Sequence, residues 1–331
     1  MDVGASGPIM HNHALGSTGL TVSRIGLGLA ALGRPAYITT GRGHDFGRER
    51  SVEALERRCH DMLDAAYARG IRYVDAARSY GRAEAFLASW LRTRGLAVHA
   101  LTVGSKWGYT YVGDWRMDAA VHEVKDLSVA TLRRQIGESR AWLGGFLRLY
   151  QIHSATLDSG VLDDAAVLEE LERLREAGLA IGITVTGPRQ ADTIRRALAV
   201  RVQGAPLFQV VQATWNLLEP SAGPALAEAR QAGCGVIVKE ALANGRLTED
   251  GAPAAVRVCA AAHHTTADAI ALAAVAAQPW VDVVLSGAVT TAQLDSNLRA
   301  LSVSLTPDGA WPDVAEPPKV YWQARQERPW A

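Results

Sequence analysis

The chain has 331 residues, 48% of them hydrophobic and 21% charged, with a formal net charge of zero. That balance suits a soluble globular protein and supplies no overall basic field for nucleic acid or an anionic membrane surface. Three cysteines, Cys59, Cys234 and Cys259, are too few and too scattered for a disulfide framework or a zinc site, and read as small buried hydrophobes in a reducing compartment. No run reaches ~18 uninterrupted apolar residues. The first residues lack the charged start and apolar stretch of a signal peptide, so the expected location is cytoplasmic. The length allows one α/β barrel domain spanning residues 1–331.

In chain order, residues 1–13 show no pattern and are expected to be flexible. Residues 14–23, ALGSTGLTVS, predict a hairpin turning at Ser17-Thr18-Gly19 and plugging the bottom of a barrel. Eight short apolar runs follow: RIGLGLA (24–30), IRYVDAA (71–77), LTVGSK (101–106) and RLYQIHS (148–154), then AIGITVT (180–186), VVQATW (210–215), GVIVKE (235–240) and DVVLSGA (282–288). Helical stretches separate them. Residues 51–69 place Val52, Leu55, Cys59, Met62 and Ala66 on one stripe and stop at Gly70. Residues 164–177 do the same with Leu168, Leu171 and Leu174 before Gly178. This alternation indicates βαβ units and a parallel sheet.

GLGLAALG (26–33) has its glycines in the wrong places for a Rossmann fingerprint and leads into a long loop rather than a helix. The expected architecture is therefore an α/β (β/α)8 TIM barrel over 24–301, with 302–331 as a C-terminal tail. Long loops at 31–50 and 107–127 sit at the C-terminal face. The second is rich in aromatics, and Trp107, Trp115 and Trp215 are expected to bind substrate in a flat pocket suited to sugars, aryl carbonyls or polyketide-like ketones. Arg133-Arg134 and Arg195-Arg196 read as solvated helix faces. His11, His13, His263 and His264 read as solvated or structural, and no metal is expected.

Strand parity brings chemistry together. Asp75, Lys106 and His153 each end a strand on the face shared with Tyr73, Gly104 and Gln151, and the C-terminal edge of a parallel barrel is where active sites are built. Tyr80 follows Asp75 by five residues. A lysine beside Tyr80 is expected to lower the phenol's pKa, with Asp75 holding the ammonium and His153 orienting a substrate carbonyl. None of these groups carries a hydride, so a reductase needs a nicotinamide cofactor alongside. Two other uses stay open: a cofactor-binding regulatory or interaction barrel without significant turnover, and an isomerase or lyase with Lys106 as a Schiff base.

These segments resemble the aldo-keto reductases. YVDAARSYG (73–81) is similar to the family segment carrying its Asp and Tyr, GSKWG (104–108) to the strand carrying its Lys, and LYQIHS (149–154) to the strand carrying its His. VVQATWNLLE (210–219) and VLSGAVTTAQLDSNLRAL (284–301) resemble its nicotinamide and adenosine segments. The resemblance implies Tyr80 as general acid assisted by Lys106 and Asp75, with His153 orienting the carbonyl of a small-molecule substrate. It implies that Thr184 and Gln212 bind the carboxamide, that Gly287, Ala288, Gln293 and Asn297 line the adenosine end, and that no metal takes part.

Departures from the family pattern carry their own expectations. Lys239-Glu240-Ala241-Leu242 stands where the family usually has Tyr-Ser-Pro-Leu, again beside the cofactor. Lys239 is expected to disfavour the cationic, oxidised nicotinamide, and Glu240 to turn toward Arg246. Val185 replaces an Asn, which removes one carboxamide contact. The resemblance implies NADP(H), although Val289 and Gln293 at the usual 2′-phosphate positions also permit NAD(H).

Overall fold

Eight parallel strands close into a barrel in sequence order: β1 (Ile25–Gly28), β2 (Tyr73–Asp75), β3 (Thr102–Trp107), β4 (Leu147–Ala155), β5 (Ala180–Val185), β6 (Val210–Thr214), β7 (Gly235–Lys239) and β8 (Val283–Ser286), with β8 pairing back onto β1. The computed structural model describes residues 10–38, 45, 49–304 and 311–330. Expectations for residues 1–9 and for most of 39–48 fall outside these. Some strands are shorter than the runs that announced them, because their ends peel into loops. IRYVDAA yields only Tyr73–Asp75, although the Ala76 N–H still reaches the Gly104 carbonyl at 2.8 Å.

Local chemistry sets the helix limits. Ser51 Oγ accepts from the Ala54 N–H to start Val52–Ala68, which buries Leu55, Cys59, Met62 and Ala66. Asp164 does the same for Ala165–Glu176, whose buried stripe is Val167, Leu171 and Leu174, with the expected Leu168 only partly covered. One large core lies between barrel and helices.

The barrel interior is closed at the bottom by the hairpin Asn12–Ala14/Thr21–Ser23. Leu15, Leu20 and Val22 pack there against Tyr73, Leu149, Val210, Ile237 and Val283. The pairing begins at Asn12, so residues 12 and 13 are part of the plug, and His13 Nε2 lies 3.0 Å from the Asp282 carbonyl. Gly16, at φ +50°, requires glycine twice over: a Cβ there would stand 2.2 Å from the Gly235 nitrogen.

At the top, residues 107–127 form a second hairpin, Tyr109–Tyr111 with Glu123–Lys125. The tail returns over the mouth as the helix Pro318–Gln326 and pairs Trp330 with Ile38. Among the described residues no single helix is long and apolar enough to cross a membrane.

Candidate active site

The ends of β2 and β3 bring Asp75 and Lys106 together with Tyr80, and the end of β4 sets His153 against Tyr80. Strand register sets Asp75 beside Gly104 and Lys106 beside Gln151, so both charged side chains enter the barrel. Lys106 Nζ donates to the Asp75 carboxylate, to the Ala76 carbonyl at 3.0 Å and to Tyr80 Oη at 3.2 Å. Three acceptors commit the amine as a donor, which disfavours a Schiff-base nucleophile. Asp75 also accepts from Tyr73 Oη at 3.2 Å and Gln212 Nε2 at 3.0 Å. A buried carboxylate with this many donors is affordable in a barrel core. His153 packs edge-on against Tyr80, ring centroids 5.6 Å apart, and its Nδ1 lies 3.4 Å from the Ser79 hydroxyl.

The expected acidification of Tyr80 is not what this environment produces. Burial first, and Asp75 second, raise the Tyr80 pKa well above its ordinary value, against a smaller lowering by Arg34. Lys106, 3.2 Å from the phenol, is ion-paired with Asp75. Tyr80 is thus held protonated, as a proton donor must be. Burial, then the charges of Lys106, Lys239, Arg34 and Lys125, hold His153 well below its ordinary pKa, so its imidazole is neutral at pH 7.

These groups stand at one end of a cavity of about 730 Å³ that runs from Tyr80 and His153 to Gln293 and Asn297. Asp75, Gln212, Lys239, Glu240, Ala241, Leu242, Gly287 and Ala288 line it. Open space faces Gly287, where an added Cβ would meet nothing. The volume, with backbone open at Gly287 and proton chemistry at Tyr80 and His153, fits a dinucleotide. Thr184 does not line it: its hydroxyl accepts from the Ser154 N–H at 2.7 Å, and Thr186 faces the cavity instead.

The three tryptophans are elsewhere. Trp107 has the opposite parity to Lys106 and is fully buried in the core between barrel and helices. Trp115 packs on Phe86 and donates to the Arg50 carbonyl at 2.8 Å. Trp215 packs edge-on against Trp280. Tyr37, Tyr109 and Trp330 take the aromatic role at the mouth. Trp330 lies between His122, stacked at 4.3 Å, and the Arg34 guanidinium, 4.6 Å from its ring. Arg34 is itself ion-paired with Glu123.

Glu240 turns toward Arg325, not Arg246. Arg325 Nε donates to Glu240 Oε2 at 2.9 Å, while Arg246 pairs with Glu316. Glu240 adopts φ +55°, a left-handed turn at the end of β7. Burial pushes its carboxyl up, but Arg325 and Lys239 outweigh it and bring the pKa to about 2. Burial lowers the Lys239 ammonium to about 8, against the opposing pull of Glu240. Arg34, Glu123, Arg325 and Trp330 were missed by sequence reasoning. The Arg- and Trp-rich tail was the one available hint, and no local pattern tied it to the mouth.

The sequence model of the Aldo/keto reductase family matches residues 24–310. The chain belongs to that family. Aldo-keto reductases are nicotinamide-dependent oxidoreductases of carbonyl compounds, generally with NADPH. Among solved structures, this reductase is similar to a Pseudomonas aeruginosa protein whose own assignment as an aldo-keto reductase is provisional, at 25% identity and TM-score 0.62, covering 88% of this chain and 94% of that one. A Bacillus halodurans aldo-keto reductase in its holo form matches in fold, at 18% identity and TM-score 0.67, covering 96% of each chain. No curated protein matches.

Proposed function

We propose that this chain reduces a small carbonyl compound, with Tyr80 as the general acid. The carrying observation is the Tyr80–Lys106 contact at 3.2 Å, beside His153, in a cavity with volume enough for a dinucleotide. Bound reduced nicotinamide supplies the hydride. His153, neutral and packed beside Tyr80, offers an N–H to the substrate oxygen and orients it. As that oxygen gains charge, Tyr80 passes it the phenolic proton. Lys106 then stabilises the phenolate at 3.2 Å, and Asp75 holds Lys106 in place.

Gln212 is spent partly on Asp75, which leaves its carbonyl oxygen for a cofactor amide. The ion pairs Arg34–Glu123 and Arg325–Glu240 line the substrate end and favour a polar carbonyl over a wholly apolar one.

A carbonyl panel with both reduced cofactors tests this beside Tyr80→Phe. Turnover is expected to fall by about 10²–10⁴ with cofactor affinity unchanged. A non-catalytic binding barrel predicts no turnover in either protein despite tight cofactor binding.

A further inference from the structure

We infer that this reductase binds NAD(H) in preference to NADP(H), because the end of its cavity remote from Tyr80 is built on carboxylates. The inference rests on reading the cavity as a dinucleotide site with its nicotinamide end at Tyr80. It reverses the preference implied by the resemblance.

Charge is distributed unevenly along the cavity. Among the described lining residues the cations are Arg34, Lys239 and Arg325, and all three belong to the catalytic end. Arg34 lies 5.2 Å from the Tyr80 ring, and the other two flank Glu240. The opposite end carries Asp45, Glu249 and Asp268.

Neutral groups hold the two carboxylates that decide the matter. Asp268 is buried and accepts from the Asn297 amide at 2.7 Å and the Ser296 hydroxyl at 3.0 Å. Glu249 accepts from the Ala267 N–H at 3.3 Å. Both stand at the N-terminal end of helix Ala267–Ala276, whose dipole offsets only part of a full negative charge. Gln293 has both ends of its amide in use: it accepts from the Val289 N–H at 2.9 Å and donates to Asp45 at 2.8 Å. Arg299 lies at the C-terminal end of helix Thr291–Leu298 and is not part of the lining.

The two cofactors differ at the adenosine ribose by one group. A 2′-hydroxyl is a donor, and a carboxylate accepts from it; the same chemistry selects NAD at dinucleotide sites of a different fold. A 2′-phosphate brings about −1.5 to −2 charge and only acceptors at pH 7. Carboxylates within a Debye length, about 8–10 Å at moderate salt, oppose it.

Binding to the cofactor-free protein, followed by calorimetry, tests the preference without relying on turnover. NADH is expected to bind at least about tenfold more tightly than NADPH at low salt, and 5′-AMP more tightly than 2′,5′-ADP, a probe confined to the adenosine end. Gln293→Arg is expected to improve NADPH affinity severalfold, and Glu249→Gln, at an exposed position, to narrow the ratio. NADPH binding as tightly as NADH, or 2′,5′-ADP outcompeting 5′-AMP, overturns the inference while leaving the reductase reading intact. Failure of either dinucleotide to bind overturns both.

Discussion

Lys106 Nζ lies 3.2 Å from Tyr80 Oη, yet its ion pair is with Asp75, and the tyrosine's pKa rises. Proximity alone therefore does not acidify the phenol. The lysine stabilises the phenolate once the proton has left, and until then Asp75 and burial keep that proton on. A group poised in this way is a donor in one direction of the reaction and an acceptor in the other.

Removing the lysine strands its partner. In Lys106→Met the buried Asp75 keeps Tyr73 and Gln212 as donors but loses its counter-charge. Unfolding free energy is expected to drop by about 3 kcal/mol. Denaturant titration measures this, and Asp75→Asn in the same chain is expected to recover part of the loss. An additive double mutant removes the case for coupling.

Lys239 gives the cofactor preference a pH dependence. Its pKa of about 8 leaves the ammonium charged at pH 7, where it opposes a cationic oxidised nicotinamide more than the neutral reduced ring. As pH rises through 8 that charge is lost. The affinity of oxidised relative to reduced cofactor is expected to improve severalfold between pH 7 and pH 9.5. Lys239→Met is expected to flatten the profile; a steep profile in that variant assigns the titration to another group.

Acid stability follows from two depressed pKa values. Glu240 titrates near 2 in the folded chain and near its ordinary 4.5 when unfolded, so its contribution is full above 4.5 and lost as pH falls toward 2. His153 has the same sign: below its ordinary 6.5 the unfolded imidazole takes a proton that the buried one refuses. Stability should decline below pH 6.5 and more steeply below 4.5. Arg325→Met is expected to cost about 2–3 kcal/mol at pH 7, less than a fully buried pair, and to lose its effect near pH 2. Chemical denaturation at several pH values follows both limbs.

The tryptophans separate pocket from core. Trp330→Ala opens the mouth beside Arg34 and is expected to raise KM for the carbonyl severalfold while cofactor Kd stays constant. Trp107→Phe removes a buried indole whose N–H has no partner. It is expected to cost about 1–2 kcal/mol of stability and leave KM unchanged. Reversed effects would return Trp107 to the substrate pocket.

The chain order of residues determined the barrel and the placement of its chemistry. Strand periodicity is local, so the parity that turns Asp75, Lys106 and His153 inward is readable from runs of six or seven residues. Gly70 and Gly178 act within one turn of chain, and they marked helix ends for the same reason; the Ser51 and Asp164 caps were seen only in the structure. The same parity turns Trp107 outward, against the expectation that it binds substrate.

Only tertiary structure decided which charges neutralise one another and what closes the mouth. Glu240 meets Arg325 across 85 positions, Arg34 meets Glu123 across 89, and Gln212 meets Asp75 across 137. Electrostatic pairing and burial depend on distance in space. No local pattern carries that distance, so the tail's role and the raised Tyr80 pKa emerged only once the barrel had closed.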